Sequence, residues 1–209
     1  MKKIYTEPNI KISKVYTKVG DKGKTHLIGG AITSKDDIRV ISYGEIDELN
    51  VLVGCCIFHL NNFEDLSDIK YLSKRLTSIQ NELFNLGTVL ASIGYDSSLN
   101  LPKIDNEDIL LLESDIDKMN NSLDPLDSFV LPGGNELTLY IHLSRVVCRR
   151  AERSVVSVIN KYADTDIKIL EYLNRLSDYF FVLGRWITYS LDIDENLWNP
   201  NNISSNNKL

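Results

Sequence analysis

"NELTLYIHLSRVVCRRAERSVVSV", residues 135–158, decides the architecture. Leu137, Ile141, Ser144, Cys148, Ala151, Val155 and Val158 recur at alternating intervals of four and three. That spacing gathers small and apolar side chains on one face of a helix and leaves the charged ones on the other. Asn135 stands just ahead of the pattern, where its side chain can cap the first turn. The same period runs outward in both directions. From Tyr43 onward, Ile46, Leu49, Val53, Cys56 and Ile57 carry it to the neighbourhood of residues 59–63. Leu66, Ile69, Leu72, Leu76, Ile79, Leu83, Leu86 and Leu90 continue it to near Gly94. Asp105 reads as the cap of a helix through Ile109, Leu112, Ile116 and Met119, and Ile169, Leu173, Leu176, Phe180, Leu183 and Ile187 mark a fifth. Five helices joined by loops predict an all-α five-helix bundle preceded by an extended N-terminal nucleotide-binding arm. The expected organisation is an N-terminal arm and loop over residues 1–40, a helical bundle domain over 41–192, and a polar, Asn-rich tail over 193–209 that is disordered.

Bulk properties narrow the function. A net charge of −6 argues against general nucleic-acid binding. No apolar run approaches the roughly 20 residues of a membrane helix. The opening "MKKIYTEPNIKISK" has no apolar leader core and no arginine, so the cytoplasm is the expected location. Cys55, Cys56 and Cys148 form no CxxC, which disfavours a disulfide framework or a structural zinc site. His26, His59 and His142 are not at metal-ligand spacing, and no nucleophile–base couple stands out. His142 reads as structural rather than as a ligand. No metal-ligating residue is assigned.

Charge sits unevenly on the fourth helix. Arg145, Arg149 and Arg153 lie at i, i+4 and i+8, one stripe of like charge that costs a few tenths of a kcal/mol per pair. Arginine offers planar, multi-donor recognition of phosphate or carboxylate. The stripe is either an anion clamp or one side of inter-helix ion pairs with Asp47, Glu48 or Asp178. Asn174, Asp178 and Phe181 share a face of the fifth helix and can orient the arginines or read a nucleotide's hydroxyls. Glu45, Asp47 and Glu48 can pair the same arginines or simply favour a helix N-terminus.

The N-terminal arm carries the opposite sign. Residues 1–24 hold seven lysines and two acids, net +5, leaving −11 for the rest. Within "KVYTKVGDKGKTHLIGG", residues 14–30, Gly23-Lys24-Thr25 resembles the end of a Walker A loop. The first glycine of that pattern would fall at Lys18, and "HLIGGAITSKDD" follows instead of a helix, so the P-loop reading fails. Gly20 and Gly23 still allow an anion-binding backbone nest, the alternative being a flexible basic segment with ordinary turn glycines.

"YTKVGDKGKTHLIGG", "RVISYGEIDELNVLVG", "FVLPGGNELTLYIHLSRVVCRRAERSVV" and "LNRLSDYFFVLGR" together resemble the signatures of PduO-type cob(I)alamin adenosyltransferases, in the family's order, across roughly Tyr16 to Trp186. The resemblance implies a homotrimeric five-helix bundle with ATP between neighbouring subunits, beneath the N-terminal segment. It implies transfer of the 5′-deoxyadenosyl group of ATP to the cobalt of reduced cobalamin, with Mg²⁺ and release of triphosphate. Carried over residue by residue, Thr17, Lys18, Val19 and Gly20 wrap the triphosphate, with Thr25, His26 and Lys35 in reach. Arg149, Arg150, Ala151, Glu152 and Arg153 match the family's "RRAER" ATP segment, and Asn174 its nucleotide-contacting asparagine. Arg145 and Asp47 match an inter-subunit pair on the corrinoid side. Phe129 matches an aromatic that helps displace the corrinoid's lower ligand. A reductase and an adenosylcobalamin-dependent client enzyme are the further partners implied. "VISYG" and His26 depart from the family's usual small residues without changing a required charge.

Overall fold

The computed structural model describes residues 16, 18–63, 66, 68–94, 101–204 and 206. Five helices carry the fold: α1 (Ile38–Leu60), α2 (Ile69–Ser92), α3 (Asn106–Asn120), α4 (Glu136–Lys161) and α5 (Lys168–Ser190). Two of their starts follow directly from local chemistry. The Asp105 side chain accepts from the backbone of Glu107 and Asp108 while Asp108 reaches back to the Asp105 N–H, a reciprocal capping box. Asn135 and Thr138 make the same exchange at the head of α4.

The other starts differ from the sequence reading. α1 begins at Ile38, five residues before the Tyr43 from which the helical period is read. Asp37 supplies the missing cap, accepting from the Arg39 N–H at 2.9 Å. Ile38, Val40 and Ile41 there are β-branched and favour a strand by propensity, which obscures the helix start. α2 starts at Ile69, so Leu66 lies in the preceding loop, yet its side chain is buried.

Packing sets the helices in the order α2–α1–α4–α5–α3, with each packed against the next. α1 therefore buries both flanks, against α2 and α4. The apolar faces meet in one core that includes Leu49, Val53, Ile79, Leu83, Val155, Leu173 and Phe180. Fully burying a side chain of this size contributes about 1.5–3 kcal/mol. Ionic ties close the row into a bundle. Arg75 of α2 pairs with Asp115 of α3 at 3.0 Å and with Glu82 at 2.9 Å, while the Tyr172 hydroxyl of α5 donates to Glu82.

Ahead of α1, a 3-10 turn (Val19–Lys22) leads into a hairpin of β1 (Lys24–His26) and β2 (Ile32–Ser34). The strands are antiparallel, with Thr25 opposite Thr33. Gly29 and Gly30 turn the chain with φ of 90° and 85°, a region glycine enters without strain. The hairpin is moored to the bundle by the buried Leu27 and by the Ile28 N–H donating to the Ala91 carbonyl at 3.1 Å. Lys24 and Thr25 thus enter a strand rather than a helix, as rejection of the P-loop requires. Lys14, Val15 and Thr17 lie outside the described residues.

The first part of the segment after α5 is held against the bundle, unlike the disordered tail expected there. Residues 195–198 pair with the loop before α4: Leu131 N–H donates to Asn196 and Trp198 N–H to Phe129, each at 2.7 Å. An asparagine-rich composition reads as disorder, but Glu195, Leu197 and Trp198 within it bring an ionic and an apolar anchor.

Candidate active site

α4 presents its charge as anticipated, but the four arginines do not share one fate. Arg150 turns toward α1, where it donates to Glu48 and lies 3.8 Å from Glu45. Ser154 donates to the same Glu45. Arg150 is thereby spent on the α1–α4 seam. Arg145, Arg149 and Arg153 have no carboxylate partner among the described residues; the Arg153 guanidinium reaches only the Arg149 backbone carbonyl, at 2.9 Å. Asp178, a candidate partner, is held instead by Arg175 at 3.0 Å.

Arg145 is the anomalous member. Its guanidinium stacks over the Phe181 ring, 5.9 Å from the centroid, and its Nε is buried with no acceptor. Burial and the like charge of Arg149 push its pKa down. A buried cationic donor without an acceptor is costly. Asp47, on α1, is exposed and has no ion pair among the described residues.

Beside the stripe, Asn174 donates to Glu152 at 2.9 Å, joining α5 to α4 and leaving further polar capacity on both. Ala151 is fully buried in the core. Two positions on from Arg149, it faces away from the stripe.

The arm assembles its own cationic turn. Lys18 takes the left-handed conformation, φ 62°, and Gly23 does so at φ 73°. Lys35 folds back over the turn. A Cβ at Gly20 would meet the Lys35 Nζ at 3.0 Å, a tight contact that a small shift of the lysine's flexible end relieves. Lys18, His26 and Lys35 are exposed and Thr25 is half-buried. A groove of about 280 Å³ runs below the hairpin between α1 and α2, lined by Ile28, Tyr43, Asp47, Asn50 and Phe84. None of the stripe arginines lines it.

Phe129 stands on the loop ahead of α4 with 78% of its surface exposed, its ring 6.2 Å from Trp198. Sequence reasoning missed Trp198, and it missed Arg185, a charge buried on α5. The one available signal was Arg185 itself, a guanidinium in the apolar phase of a helix.

Residues 15–187 match the model of the cobalamin adenosyltransferase family. The chain is 42% identical over 172 residues to the corrinoid adenosyltransferase of Bacillus subtilis (strain 168), spanning 82% of this chain and 85% of that one. It is 35% identical over 198 residues to the human corrinoid adenosyltransferase MMAB, spanning 93% and 77%. A variant of the PduO-type ATP:corrinoid adenosyltransferase from Lactobacillus reuteri, complexed with cobalamin and ATP, has a TM-score of 0.81 at 35% identity, covering 90% of this chain and 97% of that one. Fold and sequence define the class, an enzyme that adenosylates corrinoids. Within it, the chain belongs to the cobalamin adenosyltransferase family.

Proposed function

We propose how the residues of this chain divide the work of adenosyl transfer. The reaction moves the 5′-deoxyadenosyl group of ATP to the cobalt of reduced cobalamin, forming adenosylcobalamin and releasing triphosphate. The cobalt(I) electron pair forms the cobalt–carbon bond as the C5′–oxygen bond breaks, and triphosphate departs with the bonding pair. Cobalt(I) is itself the nucleophile, so no general base is needed. The protein's tasks are positioning and stabilisation of the leaving group's charge.

The observation that carries this division is the un-neutralised stripe. Arg149 and Arg153 stand ready for polyphosphate, each charge-assisted hydrogen bond contributing about 1.5–3 kcal/mol. The arm brings Lys18, Gly20 and Lys35, with Thr17, Val19, Thr25 and His26 alongside, and Glu152 with Asn174 reads the nucleoside. Two copies complete the site: Arg145 of one pairs with Asp47 of the next, in a homotrimer. The orphaned Arg145 Nε, the unpaired Asp47 and the absence of the stripe arginines from the groove that Asp47 lines support that assembly. Phe129 supplies an apolar wall that excludes the corrinoid's lower base.

Among the described residues, no group of three His, Cys, Asp or Glu side chains is placed to hold a cation. Mg²⁺ would arrive on the phosphates of ATP, adding positive charge there. A reductase that maintains cobalt(I) and a client that takes the product are the proposed partners. The cytoplasm is the proposed compartment, in keeping with three unbridged cysteines. No helix among the described residues is long and apolar enough to cross a membrane.

Incubation with cob(I)alamin, ATP and Mg²⁺, followed spectrally and by phosphate analysis, tests the reading. Adenosylcobalamin and triphosphate in equal amounts are expected. Orthophosphate or ADP as the product would overturn it.

A further inference from the structure

The chain beyond α5 folds back on the loop that leads into α4, and one buried guanidinium holds the two together. Arg185 is 6% exposed, and a charge so placed needs partners. Its Nε and Nη2 donate to the two carboxylate oxygens of Glu195 at 2.7 and 3.2 Å. Nη2 also donates to the Asp124 carbonyl at 3.0 Å. The planar fork of arginine suits this arrangement, and the point charge of lysine does not. Tail and loop then run antiparallel. Leu131 N–H donates to the Asn196 carbonyl, Val130 faces Leu197, and Trp198 N–H donates to the Phe129 carbonyl. The Ser128 hydroxyl donates to the Trp198 carbonyl at 2.7 Å. The backbone on both sides of Phe129 is therefore tied to the tail, while its ring remains mostly exposed. A loop without regular structure does not by itself hold an exposed aromatic in one place. The tail does so here.

We infer that the Arg185–Glu195 pair is a latch that seats Phe129, making both members positioning residues for displacement of the corrinoid's lower base. The inference rests on the role given to Phe129 above. With the latch closed, the tail fixes the backbone of residues 128–131 and the Phe129 ring occupies the place of the base. With it open, the loop is free and the base regains access to cobalt. Neither latch residue touches a reactant.

Glu195→Gln removes the charge and keeps the shape. Turnover of this variant is measured with cobalamin and with cobinamide, a corrinoid that lacks the lower base, alongside Phe129→Ala and the double variant. Circular dichroism checks the helices. Glu195→Gln is expected to slow turnover of cobalamin about tenfold, the effect of losing one charge-assisted contact from the seated state. The KM for ATP and turnover of cobinamide stay within about twofold of the unmodified enzyme, and the double variant is no slower than Phe129→Ala. Where Glu195→Gln disturbs folding, Arg185→Lys keeps the buried positive charge, loses the two-pronged contact with Glu195 and is expected to give the same pattern. An unchanged cobalamin rate in Glu195→Gln beside a slow Phe129→Ala overturns the latch and leaves the role of Phe129 standing. An unchanged rate in Phe129→Ala removes that role, and the latch with it. Equal losses on cobalamin and cobinamide reduce the pair to a structural tie.

Discussion

Arg150 donates to Glu48 across the α1–α4 seam, whereas its neighbour Arg149 meets no carboxylate among the described residues. Adjacent positions on a helix point about 100° apart, so "RRAER" divides its charge between two tasks. One arginine joins helices, and the three of the stripe meet no carboxylate among the described residues.

Arg149→Ala is expected to leave helicity and melting temperature unchanged and to lower kcat/KM by about a hundredfold, the upper range of a lost charge-assisted contact. Arg150→Ala removes an exposed pair that contributes below about 1 kcal/mol. It lowers the melting temperature by a few degrees at most and turnover by less than about tenfold. Equal kinetic losses in the two variants would return Arg150 to the ATP site.

Arg75 supports a stability prediction. It is 4% exposed and answers two acids, Glu82 and Asp115, that themselves accept from the Tyr172 and Tyr71 hydroxyls. Arg75→Met leaves both carboxylates uncompensated and is expected to cost about 3–5 kcal/mol. Adding Glu82→Gln and Asp115→Asn removes the stranded charges and recovers most of that loss. Guanidinium midpoints at equal m-value measure both. A triple variant no more stable than Arg75→Met would show that lost packing, not stranded charge, sets the cost.

How far these features were legible in the sequence depended on reach. Asp105 and Asn135 declared themselves as caps because each bonds within three residues of itself. The α4 period needed only its own side chains. Arg75 and Arg185 sit in apolar phases of α2 and α5, which marks them as unusual, but their partners lie on other segments: Asp115 on α3 and Glu195 in the tail. Periodicity also shows that Arg150 leaves the stripe without showing what receives it. The arm's three-residue strands are too short for an alternating pattern, so its glycines were visible and its hairpin was not.

His142 carries a pH dependence whose sign follows from its surroundings. It is buried on α4 against Gly184 of α5, with Nδ1 unpartnered. Burial, and then the charge of Arg145, push its pKa below the usual value, while Glu195 pulls the other way. The unfolded chain takes up the proton near pH 6.5, earlier than the folded one does on acidification. The neutral side chain's contribution is therefore present above about pH 6.5 and is lost as pH falls from there toward the folded pKa. Unfolding free energies across that window are expected to drop more steeply for the unmodified protein than for His142→Gln. Parallel curves would remove His142 as the source.

The proposed Arg145–Asp47 pairing between copies is open to a charge exchange. Arg145→Asp leaves an acid facing Asp47 of the next copy, and Asp47→Arg leaves an arginine facing Arg145; like charges brought together are unfavourable in both cases. Each single variant is expected to weaken assembly in sedimentation and to lose most adenosylation. With both changes in one chain the attraction is restored in reverse, so assembly recovers. Activity recovers less, because the arginine now projects from α1 and no longer lies over Phe181 beside Arg149. This separation of assembly from turnover distinguishes an inter-subunit pair from two residues acting independently. Independent action predicts that the double variant is at least as defective as the worse single one in both measurements. Recovery of assembly alone places the two residues across a shared interface and leaves Arg145's place beside Arg149 as the part that catalysis requires.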